Sequence, residues 1–428
     1  MFSEAPEGGK MTKEPLNVLM LVSSYPRSKE DTASVFLRHL AHSLSERGIH
    51  IQVLTPAEGR GGSQMEENVS VHRFRYFPKR LQKLAYGSGI LPNLKRAPWL
   101  WIEVPLFLIC MTGSLIRLIR KHRPDLIHAH WILPQGLIAV LAKYLYGTPI
   151  ITTAHGADAF ALQSRLSNWL KQFVVVKSDV WTSNTRFTSE AIGFGYSASL
   201  PKPHVIPMGV NVELFSSGDR TKLRRQLPQN ELLVLFIGRL VEKKGCHDLL
   251  QAYSLISPGL RARTTLWIVG DGDEGVKLRE YAARIGAEAK IRFWGAISNF
   301  LLPDFYAAAD LFAVPSIEAE SGDTEGQGVV LLEAFAGMTC VLATRVGGIS
   351  EVVRDGLNGV LLEPHDPRQL ATAMERLLSD ESLRARLAKS AFADVKAYGW
   401  EKVAEKFEEL YRQISPSNPN SSLVSPLF

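Results

Sequence analysis

Two successive series of short, branched apolar runs, each run followed by a stretch of helical periodicity, restrict this 428-residue chain to very few architectures. In the first series, Asn17 to Ser23 (NVLMLVS) is bounded by Tyr25-Pro26 and reads as a buried strand. Phe36, Leu37, Leu40 and Leu44 then recur at helical spacing, with Asp31, Thr32 and Ser34 as candidate caps, and Gly48 closes the helix before IHIQVLT. An alternating strand at 71–76, the runs DLIHA at 125–129 and PIITT at 149–153, and short strands at 180–182 and 204–206 continue the pattern. Strands that alternate with helices in this way predict a parallel sheet wrapped on both faces.

The pattern breaks at Pro207-Met208-Gly209-Val210, where a polar stretch begins. A second series follows, with LLVLFIG at 232–238, TTLWIVG at 264–270, KIRFWG at 290–295, DLFAVPS at 310–316 and TCVLATRV at 339–346. No fixed period relates the two halves, so the chain is not a solenoid. The fold class expected is α/β with two doubly wound, Rossmann-like domains. The first spans 16–207 and the second 208–395, and a helical segment at 396–416 packs back toward the first. Residues 1–15 and 417–428, poor in apolar residues or rich in Ser, Pro and Asn, read as disordered tails.

Apolar residues make up 46% of the chain and charged residues 21%, which suits a soluble protein with ample core. The net charge of +6 is unevenly spread: Arg73 to Arg123 holds eleven Lys or Arg against Glu103 alone. Within it, residues 79–96 interleave Lys79, Arg80, Lys83, Lys95 and Arg96 with Leu81, Leu84, Tyr86, Ile90, Leu91 and Leu94, a mixture suited to an anionic membrane surface. No nucleic-acid motif accompanies the patch, so nucleic acid is not an expected partner. Trp99 to Ile119 approaches the length of a membrane span but contains Glu103, Pro105 and Arg117, and reads as a core helix. Cys110, Cys246 and Cys340 stand alone and read as reduced and buried. The first fifteen residues contain no apolar signal-peptide core, and a cytoplasmic location is expected, with a peripheral position at the inner membrane face as its extension.

Chemistry concentrates at 321–337, SGDTEGQGVVLLEAFAG. Glu325 and Glu333 stand eight positions apart, which along a helix is at most roughly 12 Å. Gly326 and Gly328 between them leave backbone N–H groups uncovered at the start of a helix, where a phosphate is favoured. Taken alone, the stretch is equally a capped surface helix with incidental acids. Arg239 and Lys244, in GRLVEKKG after the strand at 232–238, would sit at a carboxyl sheet edge and neutralise a pyrophosphate without a metal; the plain alternative is an ordinary basic loop. GDGDEG at 270–275 matches a dinucleotide pattern in letters only, because Asp271, Asp273 and Glu274 put acids where the pyrophosphate would lie. In TAHGADAF, His155 and Asp158 could bind sugar hydroxyls, and the pair is too small for a metal site. His128 and His130 share one face of a strand, which fits a structural role as well as a functional one.

In this order, HAHWILPQGL, TAHGADAF, GRLVEKKG, VGDG, FWGAISNFLLPDFYAAADLFAVPS and TEGQGVVLLEAFAGMTCVLATRVGGISEVVRDGLNGVLLEP resemble the retaining GT-B glycosyltransferases of the group 1, or family 4, type. The resemblance covers nearly the whole chain. It implies two domains facing across a cleft, a nucleotide-diphosphate sugar as donor, a glycan or lipid-linked acceptor, and neither a metal nor a bound cofactor. It also implies roles: Arg239 and Lys244 on the donor diphosphate, Glu325 on the sugar hydroxyls, Glu333 on the ribose, and the backbone of Gly326, Gln327, Gly328 and Val329 around sugar and phosphate. Arg292 or a neighbour would contact the base, and His155 would touch the sugar from the first domain. Asp31, Thr32, Ser34 and Asp158 would lie on the acceptor side. The chain departs from the family in two places: SKEDTASVF replaces the Gly-Gly expected after the first strand, and Gln327 stands where many members have an aromatic residue. An epimerase of the same fold and a non-catalytic nucleotide-sugar sensor are the competing readings.

Overall fold

In the computed structural model, residues 15–28, 31, 33–87, 89–160, 162–193, 200–287 and 289–416 are described. Thr32 and the two segments expected to be disordered tails, apart from Pro15, lie outside these residues. Among the described residues, fourteen strands form two sheets. The first contains β1 (Asn17–Leu21), β2 (His50–Pro56), β3 (Gly62–Glu66), β4 (Val69–Phe74), β5 (Leu126–His130), β6 (Ile150–Ala154), β7 (Val180–Ser183) and β8 (His204–Val205). Its order is β3-β4-β2-β1-β5-β6-β7-β8, parallel except for the antiparallel β3–β4 hairpin. Sequence periodicity gave no sign of β3, because GSQME is polar and almost wholly exposed.

The second sheet contains β9 (Leu232–Ile237), β10 (Thr264–Val269), β11 (Ile291–Gly295), β12 (Leu311–Val314), β13 (Val341–Thr344) and β14 (Val360–Leu362). It is parallel throughout, in the order β11-β10-β9-β12-β13-β14. Its strands are near-continuous Val, Leu, Ile and Phe because helices cover both faces. One face packs on helices Leu302–Ala308, Val329–Ala336 and Glu381–Val395, the other on Cys246–Leu255 and Pro367–Ser379.

The first sheet is covered on one side by Glu103–His122, Leu137–Tyr146 and Arg165–Lys177, and on the other by Val35–Glu46 and the last helix, Trp400–Ile414. That last helix inserts Val403, Phe407, Leu410 and Tyr411 into the first domain's core, each fully buried side chain contributing about 1.5–3 kcal/mol. Arg47 and Arg412 both donate to its buried Glu408, at 2.6 and 2.9 Å, fixing it against Val35–Glu46.

The chain therefore crosses between domains twice, and the crossings run side by side. Val210 N–H donates to Tyr398 O at 2.9 Å, and Val210 bridges Gly399 in parallel. A Cβ on Gly209 would lie 2.6 Å from the Trp400 ring, so only glycine permits this approach.

The helical run Pro98–His122 is long and apolar enough to cross a membrane by length and composition, with 33% of its most apolar window buried. Phe107, Met111, Leu115 and Ile119 lock one side of it onto the first sheet, whereas Trp99, Trp101, Ile102 and Ile109 face outward, each more than half exposed. It is a core helix whose outer face is also apolar. Cys246 and Cys340 are buried and Cys110 is half-buried; all three are free thiols.

Candidate active site

Ligands of doubly wound sheets bind beyond the strand carboxyl ends, where the strand order reverses. In the second sheet that point lies between β9 and β12. Arg239 and Lys244 follow β9, and Glu325 lies in the long loop that follows β12. Lys244 Nζ is 2.5 Å from Glu325 Oε2, and Lys243 Nζ holds the same loop through Asp323 Oδ1 and Thr324 O, both at 2.9 Å. Burial opposes the charge on Glu325, but Lys244, Lys243 and Arg239 together outweigh it and hold the carboxyl below its usual range.

Gly328, at φ 75°, caps the helix Val329–Ala336, which carries Glu333. Tyr306 donates its hydroxyl to Glu333 Oε2 at 2.7 Å. Burial nonetheless raises the Glu333 carboxyl to about 7, with Tyr306 and Lys244 only partly offsetting it. Lys244 thus acts on both glutamates: one is held charged and the other is poised near neutrality.

The glycines of GDGDEG have a structural explanation. A Cβ on Gly270 would sit 1.9 Å from Gly238 O, and one on Gly272 would sit 2.3 Å from Leu240 O. They let this loop lie against the backbone of the Arg239 loop, so they serve packing between loops and leave no need for a dinucleotide.

Across the cleft, His155 follows β6, and the two domains meet beside it. A Cβ on Gly156 would lie 2.9 Å from Gly326 Cα, and Thr185 Oγ1 donates to Gly326 O at 2.9 Å. His155 is 8% exposed, within 5.2 Å centroid separation of Phe36 and Trp131, and Nε2 lies 3.2 Å from His130 Nδ1. Burial drives it down to about 3, so it is a neutral imidazole that can donate or accept a hydrogen bond. Behind it, His128 bonds Tyr411 Oη at 2.7 Å and Thr153 Oγ1 at 2.6 Å, tying the last helix to the strands that carry His130 and His155.

Several expected residues are engaged elsewhere. Asp158 does not face the cleft as a free acceptor: its two oxygens accept from His155 N–H and Ile132 N–H, both at 2.7 Å, so it shapes the His155 loop from inside. Burial raises it to about 7, against the pull of these amides and of Lys171. Asp31 pairs with Arg27 and accepts from Ala33 N–H at 3.1 Å; these partners outweigh its burial and hold it at about 2. Ser34 caps Val35–Glu46 in a left-handed conformation without a side-chain capping bond, its hydroxyl lying 2.6 Å from Ser24 Oγ.

Arg292 is not brought to the cluster. It sits near the amino end of β11, donates to Gln226 Oε1 at 2.7 Å and stacks on Trp294 at 3.6 Å. The Gln327 side chain is engaged with the interdomain linker: it accepts from Met208 N–H at 2.7 Å and donates to Met208 O at 3.3 Å. Sequence reasoning missed this latch, Tyr306, and Glu351, which accepts from Arg186 and Phe187 N–H at 2.9 and 2.8 Å across the cleft. Each pair is separated by 27 to 165 positions, and no local pattern encodes such a contact. Among the described residues no cluster of three or more His, Cys, Asp or Glu side chains is arranged to hold a metal.

Residues 33–214 match the model "Glycosyltransferase Family 4", and residues 219–394 match "Glycosyl transferases group 1". A D-inositol 3-phosphate glycosyltransferase of Acidothermus cellulolyticus is 30% identical over 408 residues, covering 89% of this chain and 85% of that protein. Another of the same name, from Geodermatophilus obscurus, is 30% identical over 403 residues, covering 88% and 84%. Among solved structures, sucrose-phosphate synthase from Thermosynechococcus elongatus superposes with a TM-score of 0.75 at 23% identity, covering 93% of this chain and 99% of that one. The two facing parallel-sheet domains, the loops at their carboxyl edges and these similarities place the chain in the group 1, family 4 glycosyltransferases of the GT-B fold.

Proposed function

We propose that the enzyme transfers a sugar, with retention of anomeric configuration and without a metal, from a nucleotide-diphosphate sugar to a glycan or lipid-linked acceptor in cell-surface polysaccharide or glycolipid synthesis. The observation that carries this reading is the Lys244–Glu325 pair at the switch point of the second sheet, with His155 directly across the cleft. Arg239 and Lys244 supply the positive charge that a leaving diphosphate needs. Glu325, kept ionised, suits sugar hydroxyls as an acceptor of hydrogen bonds, and Glu333 suits a ribose diol. The helix Val329–Ala336 points its N-terminus at the same place. In this reading the bond from the anomeric carbon to the diphosphate breaks and a bond to the acceptor oxygen forms on the same face. The acceptor's proton passes to the departing phosphate oxygen, so neither glutamate is a nucleophile, and catalysis rests on positioning and charge stabilisation.

A small phosphorylated polyol is a second acceptor reading, favoured by the name shared by the two 30%-identical relatives. The location proposed is the cytoplasmic face of an anionic membrane, contacted through the basic and apolar segment 79–96. The exposed Trp99, Trp101 and Ile109 beside it support that contact.

The test offers the purified enzyme a panel of nucleotide-diphosphate sugars with lipid-linked glycans and with inositol phosphates, in EDTA, and reads the product's anomeric configuration by NMR. Retained configuration with unchanged turnover in EDTA is expected. Inversion, or loss of turnover that magnesium restores, overturns the mechanism. Isomerised donor without transfer would indicate an epimerase, and tight donor binding without turnover a sensor.

A further inference from the structure

Between the long helix and the β3–β4 hairpin runs an open groove, lined by none of the Arg239, Lys244, Glu325 or Glu333 side chains and made of two adjoining hollows of about 610 and 440 Å³ that share Gly113 and Arg117. We propose that this groove is a second anion site, which binds a phosphate-bearing ligand independently of the donor diphosphate.

Three independent segments supply its charge: Arg60 from the β2–β3 connection, Arg75 just past β4, and Arg117 from the helix Glu103–His122. No acid lines either hollow. Among the described residues none of the three arginines has a carboxylate or hydrogen-bond partner, which is unlike Arg73 beside them. That residue is held by Pro26 O at 2.6 Å and by Glu66 at 3.4 Å. Uncompensated guanidinium groups converging on a concavity repel one another, and a phosphate with its several oxygens relieves this by accepting planar, paired N–H donors. Arg120 and Lys121 extend the same sign along the second hollow.

The floor of the groove points the same way. Gly113 lies in the middle of a 20-residue helix, where glycine costs about 1 kcal/mol relative to alanine, and nothing lies within 4 Å of the Cβ it lacks. No packing within the fold requires glycine there, whereas a ligand approaching the helix backbone does. The two open hollows leave room for a phosphate together with an attached body such as a polyol or glycerol unit. The helix surface that carries Gly113 and Arg117 continues toward its N-terminus as the exposed apolar Ile109, Leu106 and Ile102. The phosphate can therefore belong either to a soluble molecule or to a lipid headgroup.

The experiment uses the full chain with saturating nucleoside diphosphate to occupy the donor site. Inorganic pyrophosphate binding is measured by calorimetry, and flotation is measured with phosphatidylglycerol and with phosphatidylcholine vesicles. Two variants are compared with wild type: Arg75→Ser/Arg117→Ser, which removes charge, and Gly113→Leu, which fills the groove and favours the helix. Both are expected to weaken binding of at least one of the two anionic probes, pyrophosphate and phosphatidylglycerol, about tenfold or more, with nucleoside diphosphate affinity unchanged. Loss confined to phosphatidylglycerol flotation identifies a lipid headgroup, and loss confined to pyrophosphate identifies a soluble ligand. The site is refuted if wild type binds neither probe, or if Gly113→Leu binds as wild type does, which would leave only diffuse surface charge. Because the donor site is filled throughout, failure here leaves the transferase reading standing.

Discussion

Lys244→Met removes a cation and keeps most of the stem, so it tests the charge of the site without opening a large hole. The Lys244 and Glu325 side chains are 14% and 12% exposed and in direct contact. Two unit charges about 4 Å apart attract by about 4 kcal/mol at an effective dielectric near 20. The net loss is smaller, because Lys243 and Arg239 also act on Glu325. A fall in stability of about 1.5–3 kcal/mol is expected, below the roughly 3–5 kcal/mol for breaking a fully buried pair. Glu325 is held below its usual range, so its contribution is present above the unfolded carboxylate value and fades as pH falls through the lower folded value. In the variant the gap between the folded and unfolded values narrows, so the acid-side decline that Glu325 causes becomes smaller. If Lys244 also neutralises the leaving diphosphate, kcat falls by about 100- to 1,000-fold. The assay is nucleoside diphosphate release under saturating donor, with calorimetric unfolding from pH 3 to 8 alongside. Turnover within threefold of wild type, together with the stability loss, refutes the assignment: the pair would then be structural.

Glu333, raised to about 7, contributes stability fully below its ordinary value of 4.5 and loses it as pH rises through about 7. Glu333→Gln should flatten that limb of the stability curve and weaken donor binding about tenfold, read by chemical denaturation and by titration with donor. Tyr411→Phe leaves His128 Nδ1 unpaired inside the core and should cost about 1–3 kcal/mol, measured as a lowered Tm, with donor affinity unchanged. Gln327→Leu removes both bonds to Met208. It should raise the radius of gyration of the donor-bound state in small-angle scattering and lower kcat more than it raises donor KM.

Most of the fold was legible because it depends on local pattern. Runs such as LLVLFI and TTLWIV can only be strands buried on two faces, and the positions of Gly245 and Gly328 mark where helices begin. The meeting of Lys244 and Glu325 at the carboxyl edge of the second sheet was legible for a related reason, since Lys244 lies in the loop after β9 and Glu325 in the loop that leads into the helix Val329–Ala336. Arg292 was misplaced because sequence distance from a strand end was too loosely judged: it is the second residue of β11, near its amino end, and its side chain is engaged by Gln226 and Trp294. Asp158 was misjudged for a different reason, and the bonds of the Gln327 side chain to Met208 went unseen. A carboxylate or amide beside a functional loop can face the cleft or fold back onto backbone N–H groups, and burial, which sequence does not supply, decides between them.

The contacts between the domains explain why the site depends on closure. His155 lies beside the Glu325 loop because Gly156 touches Gly326, and among the described residues that approach is held by few polar links: Thr185 to Gly326, Glu351 to the amides at 186 and 187, and the exposed Arg96–Asp273 pair. None of the four hydrophobic cores draws side chains from both β-sheets, so opening the cleft exposes little apolar surface and is inexpensive. The hinge is the opposite: two crossing segments are hydrogen-bonded side by side, with Trp400 packed against Gly209. Such a hydrogen-bonded, buried crossing joined to a polar cleft favours relative motion at the cleft over motion at the crossing. Gln327 connects the two, since its backbone belongs to the donor loop and its side chain holds the linker at Met208. On the proposed function, a donor that ordered the loop from Glu325 to Val329 would therefore also hold the linker at Met208 and favour approach of the two domains beside His155.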